Sequence, residues 1–340
     1  MLLEGTILRG REFEPVDGRV VIEDGEIVDI EEADVRSEDV ILPAFVNAHT
    51  HIGDSIAKEA GEGLSLEELV APPDGLKHRL LRQADRDDLV AAMRRSLEFM
   101  ATAGTATCIE FREGGVEGVR AIDDAAEGTP IDPVVLGRET VEAMEASDGF
   151  GASGAEDGDF TRERNATGRA GKLFGIHAGE VDSGDINSAL DLEPDFLVHM
   201  VHAEELHFER VADSEIPVVV CPRSNLVTDV GLPPVRDLLD RTTVALGTDN
   251  VFLNSPSMFR EMEFTAKLTD ATTPEILRMA TVNGADIAGL NCGLVEPGRD
   301  AELLVLDGAS DNLAGAQDVA RAVVRRAGVS DVKDVVRGEA

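Results

Sequence analysis

Apolar positions along the chain fall into two patterns. Near both ends they alternate with polar residues. Val20-Val-Ile-Glu-Asp-Gly-Glu-Ile-Val-Asp-Ile sets two β-rich runs around Asp24-Gly25, a strong hairpin signal. The first forty residues read as short strands, and Ala301–Asp307 and 331–336 read as two more. Together the ends predict a small β unit from residues 1–40 and 291–340. Between them, over 41–290, the apolar runs are continuous and alternate with helical stretches. Strands are expected near 41–47, 105–111, 132–137, 149–154, 172–177, 196–199, 217–222 and 244–249. A helix is expected from Asp85, because Leu89, Ala92, Met93, Leu97 and Met100 share one face before Gly104 stops it. Continuously apolar strands suit a parallel sheet buried on both faces. Repeated βα alternation of this kind predicts an α/β fold, either a (β/α)8 TIM barrel or a doubly wound sheet. No Gly-x-Gly-x-x-Gly follows the first strand, which argues against a dinucleotide fold.

Charge narrows the functions. There are 67 acidic and 31 basic residues among 340, a net −36. A phosphate backbone or an anionic membrane would be repelled, so no nucleic-acid or membrane partner is expected. The acids are spread along the chain and form no tail. That composition resembles proteins of halophilic archaea, where molar salt shortens the Debye length to about 3 Å. No apolar run is long enough to span a bilayer. The N-terminus lacks the charged and apolar regions of a signal peptide, and Cys108, Cys221 and Cys292 have neither zinc nor disulfide spacing. A cytoplasmic location is the expectation.

The chemistry gathers at strand ends. Ile41-Leu-Pro-Ala-Phe-Val-Asn-Ala-His49-Thr-His51 ends in His-x-His, and residues two apart on a strand point the same way. Two imidazoles aimed at one point make half of a metal site, although two histidines on one face of an ordinary strand would look the same. His177, His199 and Asp249 end later strands. The C-terminal strand ends of a barrel converge on one face, where three histidines and an aspartate could hold a divalent metal and leave a position for water.

The motifs Pro43-Ala-Phe-Val-Asn-Ala-His-Thr-His51, His177-Ala-Gly-Glu180, His199-Met-Val-His202, Cys221-Pro-Arg-Ser-Asn225 and Leu246-Gly-Thr-Asp249 appear in order over roughly residues 41–300. They resemble the metal-dependent amidohydrolase superfamily, in the branch of cytosine deaminase, nucleoside deaminases and chlorohydrolase-like enzymes. The resemblance implies a distorted (β/α)8 TIM barrel with a small β-sandwich domain built from both termini. It implies metal ligation by His49, His51, His177 and Asp249, with zinc before iron. It further implies a metal-activated water, with Asp249 taking its proton, Glu180 shuttling a proton to a ring nitrogen and His199 hydrogen-bonding the attacking oxygen. The substrate would be a small N-heterocycle, deaminated with release of ammonia. Two rivals stay open: hydrolysis of a cyclic or linear amide, and a non-catalytic relative that keeps the metal.

Other polar residues are weaker candidates. Glu110 and Arg112 end the second barrel strand and Arg138 follows the third, so each could face substrate, as could His202. His78 and His207 read as a surface and a structural histidine, and Asn225 as a loop anchor. Binuclear relatives bridge their metals with a lysine or glutamate on the fourth strand. No lysine lies between 78 and 171, and the sequence around Glu139 and Glu156, which leave a glutamate bridge open, does not suggest one, so one metal is expected. The chain has no Trp or Tyr, which leaves Phe111, Phe252 or arginine to stack on a planar base. The short, Gly- and acid-rich region 138–171 leaves room for a second subunit to complete the pocket.

Overall fold

The computed structural model describes residues 1–71 and 74–338. Two sheets organise it. β1 (Leu2–Arg9), β2 (Glu14–Glu23), β3 (Glu26–Glu32) and β4 (Val40–Pro43) join two late strands, Leu303–Leu306 and Val332–Val336, in one six-stranded sheet. The hairpin turns at Asp24-Gly25, with Glu23 opposite Glu26 and both turn residues at positive φ. The period-2 pattern gives this sheet two buried faces. Ile7, Ile41, Leu303 and Val305 pack with Val20, Ile22 and Ile27 on one side. Leu8, Val40, Leu42, Leu304 and Leu306 point the other way, into the main core. The terminal segments therefore share one sheet among the described residues. The run expected as one strand from residue 41 is two strands. Val40–Pro43 belongs to the terminal sheet, and the barrel begins at Phe45.

The second sheet has nine parallel strands: β5 (Phe45–His51), β6 (Thr105–Arg112), β7 (Val134–Gly137), β8 (Gly149–Ala152), β9 (Leu173–Ala178), β10 (Phe196–His199), β11 (Val218–Val220), β12 (Val244–Leu246) and β13 (Asp249–Asn250). Successive strands are neighbours from β5 to β12, as short right-handed βα crossovers require. The last segment closes the curl. β12 pairs with β11, and after Gly247-Thr248 the chain crosses to pair Asp249 with Thr50 and Asn250 with His51. Thr248 donates its N–H to the His49 carbonyl over 3.1 Å, and the Asn47 side chain holds Thr248 through two bonds of 2.7 and 3.0 Å. Gly247 is needed at the crossing, because a Cβ there would lie 2.7 Å from the His49 Cβ. The predicted helix spans Arg86–Thr102, capped by the Asp85 side chain on the Asp87 N–H, and buries Met93, Leu97 and Met100.

Candidate metal centre

The C-terminal ends of β5, β9 and β10 and the start of β13, just past β12, bring His49, His51, His177, His199 and Asp249 to one point. Ligand atoms of His49, His177 and His199 lie within 4.8 Å of one another, as do those of His49, His51 and Asp249, and those of Glu180, His199 and Asp249. His49, His51, His199 and Asp249 are buried. His199 and Asp249 hold φ of 80° and 57°, a left-handed backbone uncommon outside glycine and concentrated at functional sites.

The tautomers show what the cluster can bind. His51 Nδ1 donates to the Phe111 carbonyl at 3.2 Å, and His177 Nδ1 donates to the Ala152 carbonyl at 2.8 Å. With the proton on Nδ1, each ring presents a bare lone pair at Nε2. These two Nε2 atoms lie 3.4 Å apart. Two lone pairs facing each other at that distance need a cation between them. His49 is fully buried, yet among the described residues neither of its ring nitrogens has a hydrogen-bond partner. Its Nε2 stands 3.4 Å from Asp249 Oδ1, and His51 Nε2 stands 3.7 Å from the same oxygen. Buried polar atoms are almost always satisfied, so an orphaned imidazole among bare nitrogens and a carboxylate fits a divalent metal.

The electrostatics agree with the geometry. Burial pushes His49 and His177 below the usual imidazole range and His51 down to about 3, so all three are neutral at pH 7, the form that ligates metals. Burial alone would raise Asp249, but the adjoining His49, His199 and His51 rings outweigh it and hold the carboxyl well below its usual range. Asp249 Oδ2 accepts from the Ser224 hydroxyl at 2.5 Å, and Oδ1 from the Asn250 amide at 2.9 Å. Glu180 Oε2 lies 3.5 Å from His199 Nε2. Burial raises the Glu180 carboxyl, opposed by His199. A carboxyl held above its usual range at the edge of a cavity can keep and deliver a proton.

The cavity over the cluster measures about 500 Å3. Arg138 borders it, together with Lys77, His78, Glu180 and Asp249. Glu110 and Arg112 do not. Glu110 turns into the protein, where Oε2 accepts from the Thr50 hydroxyl at 2.9 Å and the Ile52 N–H at 2.7 Å. Arg112 lies against Gly53, where a Cβ would meet its guanidinium at 1.4 Å. His202 is exposed and also lies off the cavity. His78 borders the cavity, with Nε2 3.0 Å from the Val70 carbonyl, so it is not the surface residue expected. His207 caps its helix, its Nδ1 accepting from the Glu204 N–H at 3.0 Å. The Asn225 amide sits 3.2 Å from His199 Nδ1 and steadies that ring. Phe111 and Phe252 are buried away from the opening, so the stacking surface expected of them is absent from the cavity wall. Neither Lys77 nor Glu113 was foreseeable from the chain. Lys77 sits on the helix Leu76–Gln83 and Glu113 just past β6, and both are buried. The scarcity of lysine was the only available signal for the first.

Bare imidazole nitrogens, an ionised aspartate and a raised glutamate on the open face of a parallel sheet fit a hydrolytic metal centre. The comparisons with known proteins place the chain. It belongs to the amidohydrolase family, whose model matches residues 40–205 and 167–336. A relative from Methanothermobacter thermautotrophicus, provisionally named an aminohydrolase, is 38% identical over 89% of this chain and 90% of its own length. A 5-methylthioadenosine/S-adenosylhomocysteine deaminase from Haloarcula marismortui is 25% identical over 93% of this chain and 84% of its own length. The crystal structure of a Xanthomonas campestris adenosine deaminase with bound zinc shares the fold at a TM-score of 0.75 and 18% identity, covering 99% of this chain and 91% of that one. The chain is a hydrolase of carbon–nitrogen bonds, and its His and Asp cluster supports a divalent metal, for which zinc is plausible.

Proposed function

We propose that the protein is a mononuclear deaminase that removes an exocyclic amino group from a small N-heterocycle and releases ammonia. The observation that carries this reading is Glu180, a half-buried carboxyl held above its usual range on the cavity wall, 3.5 Å from His199. Deamination needs a proton on the ring nitrogen beside the carbon under attack, a task that suits Glu180, whereas amide hydrolysis needs one on the departing nitrogen itself; ammonia release separates the two. The deaminase name of the Haloarcula relative supports the same class. His49, His51, His177 and Asp249 would hold one divalent metal, zinc before iron. Such a metal lowers the pKa of bound water towards neutrality.

The chain's own groups divide the remaining work. Asp249 is ionised and can take a proton from the attacking water, then return it to the amino group as the C–N bond breaks and ammonia leaves. Protonated Glu180 gives its proton to the ring nitrogen beside the carbon under attack, which relieves the charge that builds there. His199, steadied by Asn225, donates to the attacking oxygen. Leu66, Val70, Val181 and Val230 supply the apolar wall of the cavity. No aromatic ring other than imidazole lines the cavity among the described residues, so a flat base would pack on aliphatic groups.

The test has two parts, both on protein purified in molar salt. Elemental analysis is expected to give about one zinc or iron per chain. An ammonia-release screen of purines, pyrimidines and their nucleosides is expected to find a substrate. Two metals per chain would replace the mononuclear reading, and turnover of cyclic amides without ammonia would replace deamination.

A further inference from the structure

Three nitrogens converge on one oxygen beside the metal site, the His51 Nδ1–H being shared with the Phe111 carbonyl 3.2 Å away. Glu113 Oε1 lies 2.9 Å from His51 Nδ1, 2.7 Å from Lys77 Nζ and 3.0 Å from Arg138 Nη1. All four residues are buried. They come from four separate segments: the end of β5, the helix Leu76–Gln83, and the turns after β6 and β7.

The contacts continue past Lys77. Its ammonium also lies 3.0 Å from Asn250 Oδ1. An ammonium only donates, so the Asn250 oxygen must face Lys77 and the amide nitrogen must face the other way. That nitrogen donates to Asp249 Oδ1 over 2.9 Å. A path therefore runs from His51 through Glu113, Lys77 and Asn250 to Asp249 without crossing the metal position. It joins two of the four expected ligands, one on each side of the junction between β5 and β13.

The charges in this path are costly to bury. Buried ion pairs are weak sources of stability, since desolvation consumes most of their attraction. A network of this kind is better explained by what it orients. A carboxylate on the far nitrogen of a ligating imidazole fixes the ring's tautomer and aim and raises its basicity.

We propose that Glu113 is a positioning residue of the metal centre: its carboxylate fixes the His51 ring directly and the Asp249 carboxylate through Lys77 and Asn250. This rests on the metal reading above. The cation is held less tightly when Glu113 is neutralised, even where the fold survives.

The experiment is zinc affinity by chelator competition, with the visible spectrum of the cobalt-loaded protein as a report on ligand geometry. Glu113→Gln is expected to weaken zinc binding about 10- to 100-fold and to alter the cobalt bands. Because the neutral amide of that variant leaves buried cations uncompensated, the double variant Glu113→Gln/Lys77→Met, which removes the pair together, is measured beside it with the same expectation. A purely structural network would lower the unfolding midpoint and leave affinity and bands unchanged. Zinc affinity within about twofold of the unaltered protein in either folded variant overturns the proposal. Failure of the unaltered protein to bind zinc or cobalt overturns the metal reading itself, a separate result.

Discussion

Glu110 offers a test that needs no substrate. Its carboxyl is fully buried at the end of β6, with Oε2 hydrogen-bonded to Thr50 and Ile52 and Oε1 without a hydrogen bond among the described residues, 3.9 Å from the Arg112 guanidinium. Burial raises it to about 7, helped by Glu113 and opposed by Arg112 and the two hydrogen bonds. In the unfolded chain it returns to its ordinary value of 4.5. The sign follows from proton counting. Below pH 4.5 both states hold the proton, and Glu110 adds no pH dependence. Between 4.5 and about 7 only the unfolded chain ionises, so stability falls as pH rises. Above about 7 the cost is constant. At about 1.4 kcal/mol per pH unit, the whole displacement is about 3 kcal/mol. Glu110→Gln keeps an acceptor for Thr50 and Ile52 and removes the ionisation. The assay is urea unfolding of both proteins in molar KCl from pH 4 to pH 8. The stability of the variant relative to the parent is expected to climb by about 3 kcal/mol across that range, mostly between pH 4.5 and 7. Parallel curves would refute the argument and would mean that the carboxyl ionises freely in its buried place.

Three further outcomes are expected. Glu180→Gln should keep its metal, by elemental analysis, while turnover falls by about 10² or more; unchanged turnover removes Glu180 from the proton path. His177→Ala should lower metal content, and full occupancy would mean the ligands are misassigned. With a net charge of −36, the unfolding midpoint should rise from dilute buffer to molar KCl as the Debye length contracts from about 10 to about 3 Å, and a flat response would remove charge repulsion from the account.

Some of this could be read from the chain and some could not. Strand positions were legible wherever apolar residues ran unbroken. Phe196–His199 and Leu173–Ala178 fall where expected, and even the Gly-rich 149–154 contains a strand, Gly149–Ala152. The boundary at Pro43-Ala-Phe45 was not legible, because one apolar run serves two sheets and only the pairing partners distinguish its halves. His49 and His51 announced themselves through period two, and His177 and Asp249 through their place after apolar strands. The side chains at 110 and 112 followed the same logic and misled, because pointing along a strand face does not say whether a pocket or a neighbouring helix lies beyond. Glu113 stands outside any period, in a chain where acids are everywhere. Lys77 reaches the site from a helix whose own pattern points to no cluster. Their meeting is a property of the tertiary structure alone.

The closure of the large sheet carries a last consequence. The seam is only two residue pairs long, Asp249 with Thr50 and Asn250 with His51. Two of its four members are expected metal ligands, and a third, Asn250, holds the Asp249 carboxylate. Occupancy of the site would thus rivet the first barrel strand to the last. A metal-starved chain would fray there first, at Ile52–Ala57 and the turn beside Phe252, where Asp54 and Glu59 each share one hydrogen bond with the Phe252 backbone. Metal supply would then set how long each molecule survives proteolysis, as well as how fast it turns over.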